Sequence, residues 1–344
     1  MKKNTYFFLS LIIFFSMLNV VKARGIPSFS ITPIYPENQV TTTKGYFDIK
    51  TNANEQQTLK MRITNNKNEE ISVDITPANA YTEPIGGITY SQNIESPDTS
   101  LLKDNIQMVK YISAPSNIIV KPNSSLEVPI VITTPNIKSG TLLGGIIFTI
   151  KDKTAKSQPI PGKDEANFVI NTATAYAFGI QINLPNTEIP ELSFGDAGFL
   201  SDKLAAYIEL KNDTFAISKN ISGTYKVTNS SGVELFSEKF APFSMAPKTQ
   251  IRYRIKWDSQ TLDSGDYILS ISGTANGENI STQKTFTIQN KQVVQAQEKN
   301  NLPQAKVQNE IPIWVWIFIV LAVAIIMYLL GIKKNTQKDQ NVQK

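Results

Sequence analysis

The chain holds 29 Asp and Glu and 34 Lys and Arg, but no His and no Cys. That removes disulfides, thiol nucleophiles, thiolate metal sites and any Ser-His-Asp arrangement. Carboxylates alone can still cleave glycosidic bonds, because that chemistry needs only two acids. No acid pair sits in a recognisable motif, however, and most acids fall in turn-like surroundings. We read them as solvated surface charge. A Gly-rich phosphate loop after a strand and a calcium-loop spacing are both absent.

What remains is chemistry for holding a ligand. Tyr46-Phe47-Asp48-Ile49 permits two readings. One is a strand with Phe47 and Ile49 inward and Asp48 in a turn. The other sets Tyr46 against a sugar face, where aromatic burial holds a glycan. Asn38 and Gln39 could exchange hydrogen bonds with sugar hydroxyls or peptide amides, or satisfy a turn. Arg252, Arg254 and Lys256 would share one face of a strand. There they meet an acidic ligand, such as a teichoic acid or heparan chain, or simply solvent. Asp98 and Ser100 suit local turn bonds. Gly140, Gly144 and Gly145 suit a bulge or tight turn beside the strand at 146–150.

The elements that must carry these residues are strands. Leu59, Met61 and Ile63 alternate with Lys60, Arg62 and Thr64. Ile71, Val73 and Ile75 alternate with Ser72, Asp74 and Thr76, and Asn65-Asn66-Lys67-Asn68 makes the turn between the two runs. Leu126, Val128, Ile130 and Ile132 form another run, in which Pro129 predicts an edge or a bulge. Later strands are expected at 173–184, 204–211, 223–228, 235–240, 251–257, 266–274 and 279–288. Asn276-Gly277 gives the last pair a hairpin turn, since both central residues of that turn need positive φ. The expected fold is all-β: two immunoglobulin-like β-sandwich domains in tandem, over 24–155 and 156–289. Residues 151–167 are polar and aperiodic, either an interdomain linker or a long hairpin excursion. We place the boundary there.

Both ends read as topogenic. Lys2 and Lys3 precede an apolar run from Tyr6 to Val21, so residues 1–23 are expected to be a signal peptide cleaved between Ala23 and Arg24. Residues 311–332 carry no charge and are long enough to span a bilayer as a helix, with Trp314 and Trp316 at headgroup level. Lys333, Lys334, Lys338 and Lys344 then mark 333–344 as a basic cytoplasmic tail. The polar segment 290–310 reads as a flexible stalk. Outside these ends lie 27 positive and 28 negative charges, so the basic balance is no nucleic-acid footprint.

The residues also carry a resemblance. The first half shows Phe29-Ser30-Ile31-Thr32-Pro33, Asn38-Gln39, Tyr46-Phe47-Asp48-Ile49, Ile63-Thr64-Asn65 and Ala80-Tyr81-Thr82. It continues with Gly87-Ile88-Thr89-Tyr90, Asp98-Thr99-Ser100-Leu101, Gly140 and Leu143-Gly144-Gly145-Ile146. This half resembles the peptidoglycan-binding domain of the WxL-interacting proteins of Gram-positive bacteria. The second half, with Tyr176 to Leu184, Leu210-Lys211-Asn212, Met245-Ala246-Pro247 and Leu262-Asp263-Ser264-Gly265-Asp266-Tyr267, resembles that family's host-binding domain. The resemblance implies a scaffold without enzymatic activity or cofactor. Its expected partners are peptidoglycan, secreted WxL-domain surface proteins and a host extracellular-matrix ligand. It would sit in the cell membrane as a single-pass protein, its main part extracellular within or on the wall. No Trp is followed two places on by Leu, so this chain would be the tethered partner. Two departures stand out: Lys248-Thr249 where relatives carry Asn-Ser, and Leu302-Pro303-Gln304-Ala305-Lys306, which lacks the Thr-Gly of a sortase signal. A simple host-matrix adhesin and a carboxylate-dependent wall hydrolase are the competing functions.

Overall fold

The computed structural model describes residues 28–40, 45–94, 96–151, 173–259 and 261–300, with six isolated positions between 317 and 325. The expected signal peptide and its Ala23/Arg24 cleavage site, residues 301–310 and the basic tail lie outside these residues, as does nearly all of the expected membrane span. Among the described residues no helix is long and apolar enough to cross a membrane.

The first half folds as β1 (Phe29–Ile34), β2 (Phe47–Lys50), β3 (Gln56–Asn65), β4 (Ile71–Thr82), β5 (Ile88–Ser91), β6 (Thr99–Leu101), β7 (Ile112–Ser113), β8 (Asn117–Val120), β9 (Ser124–Thr133), β10 (Thr141–Lys151) and β11 (Ala173–Asn183). One sheet runs β1-β3-β9-β7, and the facing sheet runs β2-β11-β10-β4-β5 with β8 beside β4. Their core is largely aliphatic: Leu59, Met61, Ile63, Ile130, Ile146, Ile180 and Ile182 are at most 1% exposed. The period-two alternation produces this burial, because successive side chains leave a strand on opposite faces. Fully burying each such side chain contributes about 1.5–3 kcal/mol. The turn after β3 crosses between sheets rather than closing a hairpin. Buried Asn65 pins it by donating Nδ2 to the carbonyls of Glu69, Val120 and Lys121 at 2.8, 3.1 and 3.0 Å. Pro129 pairs with Lys60 on one side, while β7 meets β9 only at Val131 and Ile132. The proline thus lies where its strand has no second neighbour.

The second half folds as β12 (Leu192–Leu200), β13 (Ala205–Asn212), β14 (Ser218–Asn229), β15 (Glu234–Met245), β16 (Thr249–Lys256), β17 (Gly265–Ala275) and β18 (Glu278–Ile288). Its sheets are β12-β13-β16-β6 and β15-β14-β17-β18. The core is rich in rings: Phe236, Tyr267 and Phe199 all stand edge-on to Trp257 at 5.3–5.5 Å. Asn276 and Gly277 have φ of +56° and +89°, as the hairpin turn requires.

Two boundaries differ from the expectation. β11 belongs to the first sandwich, not the second. It pairs with β10 in register over its whole length and runs parallel to β2. Residues 152–172, themselves outside the description, lie between these two paired strands. Polarity and lack of period are common to a linker and a hairpin excursion, so only the pairing decides between them. The expected stalk also begins with structure: Asn290–Asn300 is a helix, α1. Its Gln, Lys, Val and Ala are compatible with helix, and Ala296 is fully buried against the second sandwich with Val293 packed beside it. Gln292 Oε1 accepts the Gln289 N–H at 2.9 Å, half of a capping box, and Gln292 Nε2 donates to the Phe199 carbonyl at 3.0 Å. Both cores close within residues 28–300.

Candidate functional site: a polar cleft on the first sandwich

A row of polar side chains crosses the end of the second sheet. Asp48 of β2, Gln181 and Asn183 of β11, and Thr141 of β10 come together there. They share a face because Gln181 pairs with Asp48 and Asn183 with Thr141 in the strand registers. Asp48 Oδ1 accepts from Asn183 Nδ2 at 2.6 Å and Gln181 Nε2 at 3.1 Å. Asn183 Oδ1 accepts from Gln181 Nε2 at 3.0 Å and from the Thr141 hydroxyl at 3.2 Å.

Asp48 is only 4% exposed. Its second oxygen, Oδ2, has no hydrogen-bond partner among the described residues and keeps an opening to solvent. That opening is a cleft of about 580 Å³, lined by the polar Asp48, Lys50, Gln181 and Asn183 and by the apolar Val40, Leu184 and Pro185. A buried carboxylate is costly unless donors meet it. The two amides supply part of that need without cancelling the charge. The cleft can therefore accept a ligand hydroxyl or N–H at Asp48 and cover an apolar group at Val40, Leu184 and Pro185. Glu55 stands at its rim. The Asn52 N–H, the Asn52 amide and the Thr51 hydroxyl all donate to its carboxylate and bring its pKa down to about 2.

The other residues singled out in the sequence behave differently. Asn38 and Gln39 brace the entry to β2. Asn38 pairs reciprocally with Gln57 at 2.8 and 2.9 Å, and Gln39 Oε1 accepts the Asp48 N–H at 3.1 Å. Their amides are thus spent on local structure, and Phe47, Asp48 and Ile49 are all buried, so Asp48 is in a strand and not a turn. Tyr46 is half-buried beside Gly179, next to Tyr90. Tyr90 lies across Gly145 and Gly179. A Cβ on Gly145 would come 2.6 Å from the Tyr90 ring, and one on Gly144 would come 2.5 Å from Met108. These two glycines admit neighbouring side chains onto a flat strand. The expected bulge or tight turn is absent at these two, and of the three glycines Gly140 alone has positive φ, at +96°. Burial, with Tyr46 nearby, pushes the Tyr90 phenol up to about 12.

Arg252, Arg254 and Lys256 do share the outer face of β16. Arg252 Nε lies 3.5 Å from Glu209, and its guanidinium sits over the Tyr207 ring at 5.0 Å. Arg254 Nε lies 3.5 Å from Asp98, which is only 6% exposed. The contact makes no hydrogen bond, so it is Coulombic and Nε stays unsatisfied. Lys256 is exposed. Asp98 therefore serves the junction between the halves, beyond any local turn, and Ser100 pairs with Gln250 in the β6–β16 register.

That junction is built by the segment around Met245-Ala246-Pro247. The Thr82 hydroxyl accepts the Ala246 N–H at 3.0 Å and meets the Thr249 hydroxyl at 2.7 Å. Lys248 Nζ reaches Asp104 of the first half at 2.6 Å and Asp213 at 3.2 Å. The departure to Lys248-Thr249 thus places a charged clamp and a buried hydroxyl pair between the sandwiches. Gly140 completes it: any Cβ there would overlap the Phe215 carbonyl oxygen, which accepts the Thr141 N–H at 2.6 Å.

The sequence reading missed Gln181, Asn183 and Thr141. One signal was present. In 179–183 polar Gln and Asn alternate with Ile180 and Ile182, which marks a polar outer face on a strand whose inner face is core.

Fold and cleft define a tandem β-sandwich protein with a polar cleft on its first sandwich. Residues 29–150 match the WxL-interacting protein peptidoglycan-binding domain, and residues 165–301 match the host-binding domain of the same family. The chain belongs to the WxL-interacting protein family. No curated protein matches it. Among solved structures, the CsuC–CsuE chaperone–tip adhesion subunit complex of Acinetobacter baumannii is similar at 12% identity and a TM-score of 0.36, over 75% of this chain and 97% of that one. The class 5 fimbriae chaperone CfaA is similar at 14% identity and a TM-score of 0.31, over 74% and 98%. Scores this low carry no argument about function.

Proposed function

We propose that this protein is a membrane-anchored scaffold of the cell wall that holds peptidoglycan in the cleft at Asp48 and recruits WxL-type surface proteins. The observation that carries the reading is the Asp48 carboxylate: buried, with one oxygen open to a cleft lined by amides. Glycan hydroxyls and N-acetyl N–H groups are the donors such an oxygen accepts, and Val40, Leu184 and Pro185 suit an acetyl methyl. Asp48 and Val40 fall within the match to a peptidoglycan-binding domain, which supports the assignment, while Gln181, Asn183, Leu184 and Pro185 fall within the host-binding match. The role is binding, not hydrolysis. Glycoside cleavage needs an acid held protonated near neutral pH, whereas the Glu55 carboxyl at the cleft rim is held at about 2.

The anchor reading rests on the uncharged run 311–332. The positions described within it are helical, and Ile317, Phe318, Leu321, Val323 and Ile325 are more than half exposed. Apolar side chains in that state need a partner or a bilayer. The match of the second half to a host-binding domain supports a host or matrix ligand there.

Because both cores close within 28–300, the chain trimmed to 24–310 is the unit to test. It should co-sediment with insoluble cell wall and leave the muropeptides intact by mass spectrometry. Retention no greater than that of bovine albumin would sink the wall-binding reading. Used as bait on native cells, the same chain should retain proteins carrying a Trp-x-Leu module.

A further inference from the structure

The cleft does not stop at the edge of the first sandwich. A second hollow of about 520 Å³ shares Gln181, Asn183 and Thr187 with the first and is closed on its far side by Lys219, Asn220 and the Asn276-Gly277 turn of the second sandwich. The two hollows form one groove with a common floor, read by both halves of the protein.

The far wall is built, not incidental. β14 is bulged between Ser218 and Ile221, and Asn220 takes φ +54°. The bulge is tied to the β17–β18 turn: the Lys219 N–H donates to Asn276 Oδ1 at 2.7 Å, and the Asn276 N–H donates to the Lys219 carbonyl at 2.9 Å. The wall is held against the floor by Gly140 and Glu188. Gly140 admits the Phe215 backbone, and Glu188 bridges the halves by accepting from the Ser139 hydroxyl and the Phe215 N–H, each at 2.8 Å.

Each hollow holds one exposed lysine, Lys50 in the first and Lys219 in the second, and they differ in the carboxylate beside it. In the first, Asp48 presents an open acceptor. In the second, both oxygens of Glu188 are already occupied, while Lys219 is exposed and has no ion pair among the described residues. Asn220 adds an exposed amide beside it. A cation with an adjacent amide suits a carboxylate at the end of a chain of peptide bonds.

We propose that the second hollow is a subsite for the acidic stem peptide of the same wall polymer whose sugars lie at Asp48. The domain assigned to host binding then takes part in reading the wall, and the docked arrangement of the sandwiches is a condition of full affinity. This deepens the cleft reading and rests on it.

The test is calorimetric titration of the 24–310 chain with three probes: the N-acetylglucosamine–N-acetylmuramic acid disaccharide, the same disaccharide carrying its pentapeptide, and the free pentapeptide. The peptide-bearing disaccharide should bind at least about tenfold tighter than the bare one, a factor worth about 1.4 kcal/mol. Lys219→Ala should reduce that gain to less than about twofold, and Lys219→Glu should abolish it. Gly140→Ala, which forces the sandwiches apart, should lose the gain as well. A peptide gain below about twofold in the parent chain, or one that survives Lys219→Ala, overturns the subsite. If the bare disaccharide fails to bind, or binds equally to Asp48→Asn, the cleft reading itself fails and the subsite with it. A disaccharide that depends on Asp48 beside a silent Lys219 overturns the subsite alone.

Discussion

The Asp48 cleft and the β16 face are both charged patches on the outer surface of a sheet, yet they differ in what stands opposite the charge. On β16, Arg252 and Arg254 each have a carboxylate 3.5 Å away, and Arg252 also covers a tyrosine ring. Their charge is matched within the protein. At the cleft, Asp48 is met by two neutral amides on one oxygen and by nothing described on the other. Its charge is solvated in part and is left for a ligand to complete. A row of like charges in sequence is therefore no guide to ligand binding; the pairing across the sheet decides.

The largest effect that would break this contrast is on wall binding. Asp48→Asn keeps the shape and one acceptor but removes the charge. Hydrogen bonds to charged groups are worth about 1.5–3 kcal/mol, so the dissociation constant for wall fragments should rise about tenfold or more. Arg252→Ala should leave wall retention within about twofold of the parent. Equal loss in both variants would show that the two patches do not differ as described.

A second measurement probes the matched patch by stability. Asp98 is buried under Arg254, so Asp98→Asn should lower unfolding free energy by about 1–3 kcal/mol in denaturant titration. Combining it with Arg254→Met should restore part of the loss, and the coupling in the double-mutant cycle should exceed about 0.5 kcal/mol. Strict additivity would mean that the pair contributes nothing.

The smallest expected effect is alkaline. Each region holds one buried tyrosine raised to about 12: Tyr90, on the cleft's sheet, and Tyr253, beneath the β16 cations. Both owe the shift first to burial. An unfolded tyrosine ionises near 10. Between about 10 and 12 the folded state therefore holds more protons, and stability falls as pH rises through that window. Tyr90→Phe and Tyr253→Phe should each flatten the fall in denaturation midpoint across it. A parent protein whose midpoint is level from pH 9 to 12 would contradict this.

Much of this architecture was legible in the order of residues. Alternation with a period of two fixed which faces of β3, β4, β9 and β16 are buried, because side chains leave a strand alternately. Asn276-Gly277 determined a turn, because few residues tolerate positive φ. The absence of Cys and His determined which chemistries are closed. What the sequence left undetermined was pairing at long range. Polar residues 151–167 read as an interdomain linker in preference to a hairpin excursion, and only the eleven-residue register of β10 with β11 placed Ile180 and Ile182 in the first core and Gln181 and Asn183 on its outer face. The same limit hid the cleft: Asp48 and Asn183 stand 135 positions apart and meet through the parallel pairing of β2 and β11. It also hid the docking of α1, whose polar composition alone suggested a free stalk. Local propensity is written in neighbouring residues, whereas the partner of a charge is set by which strands lie side by side.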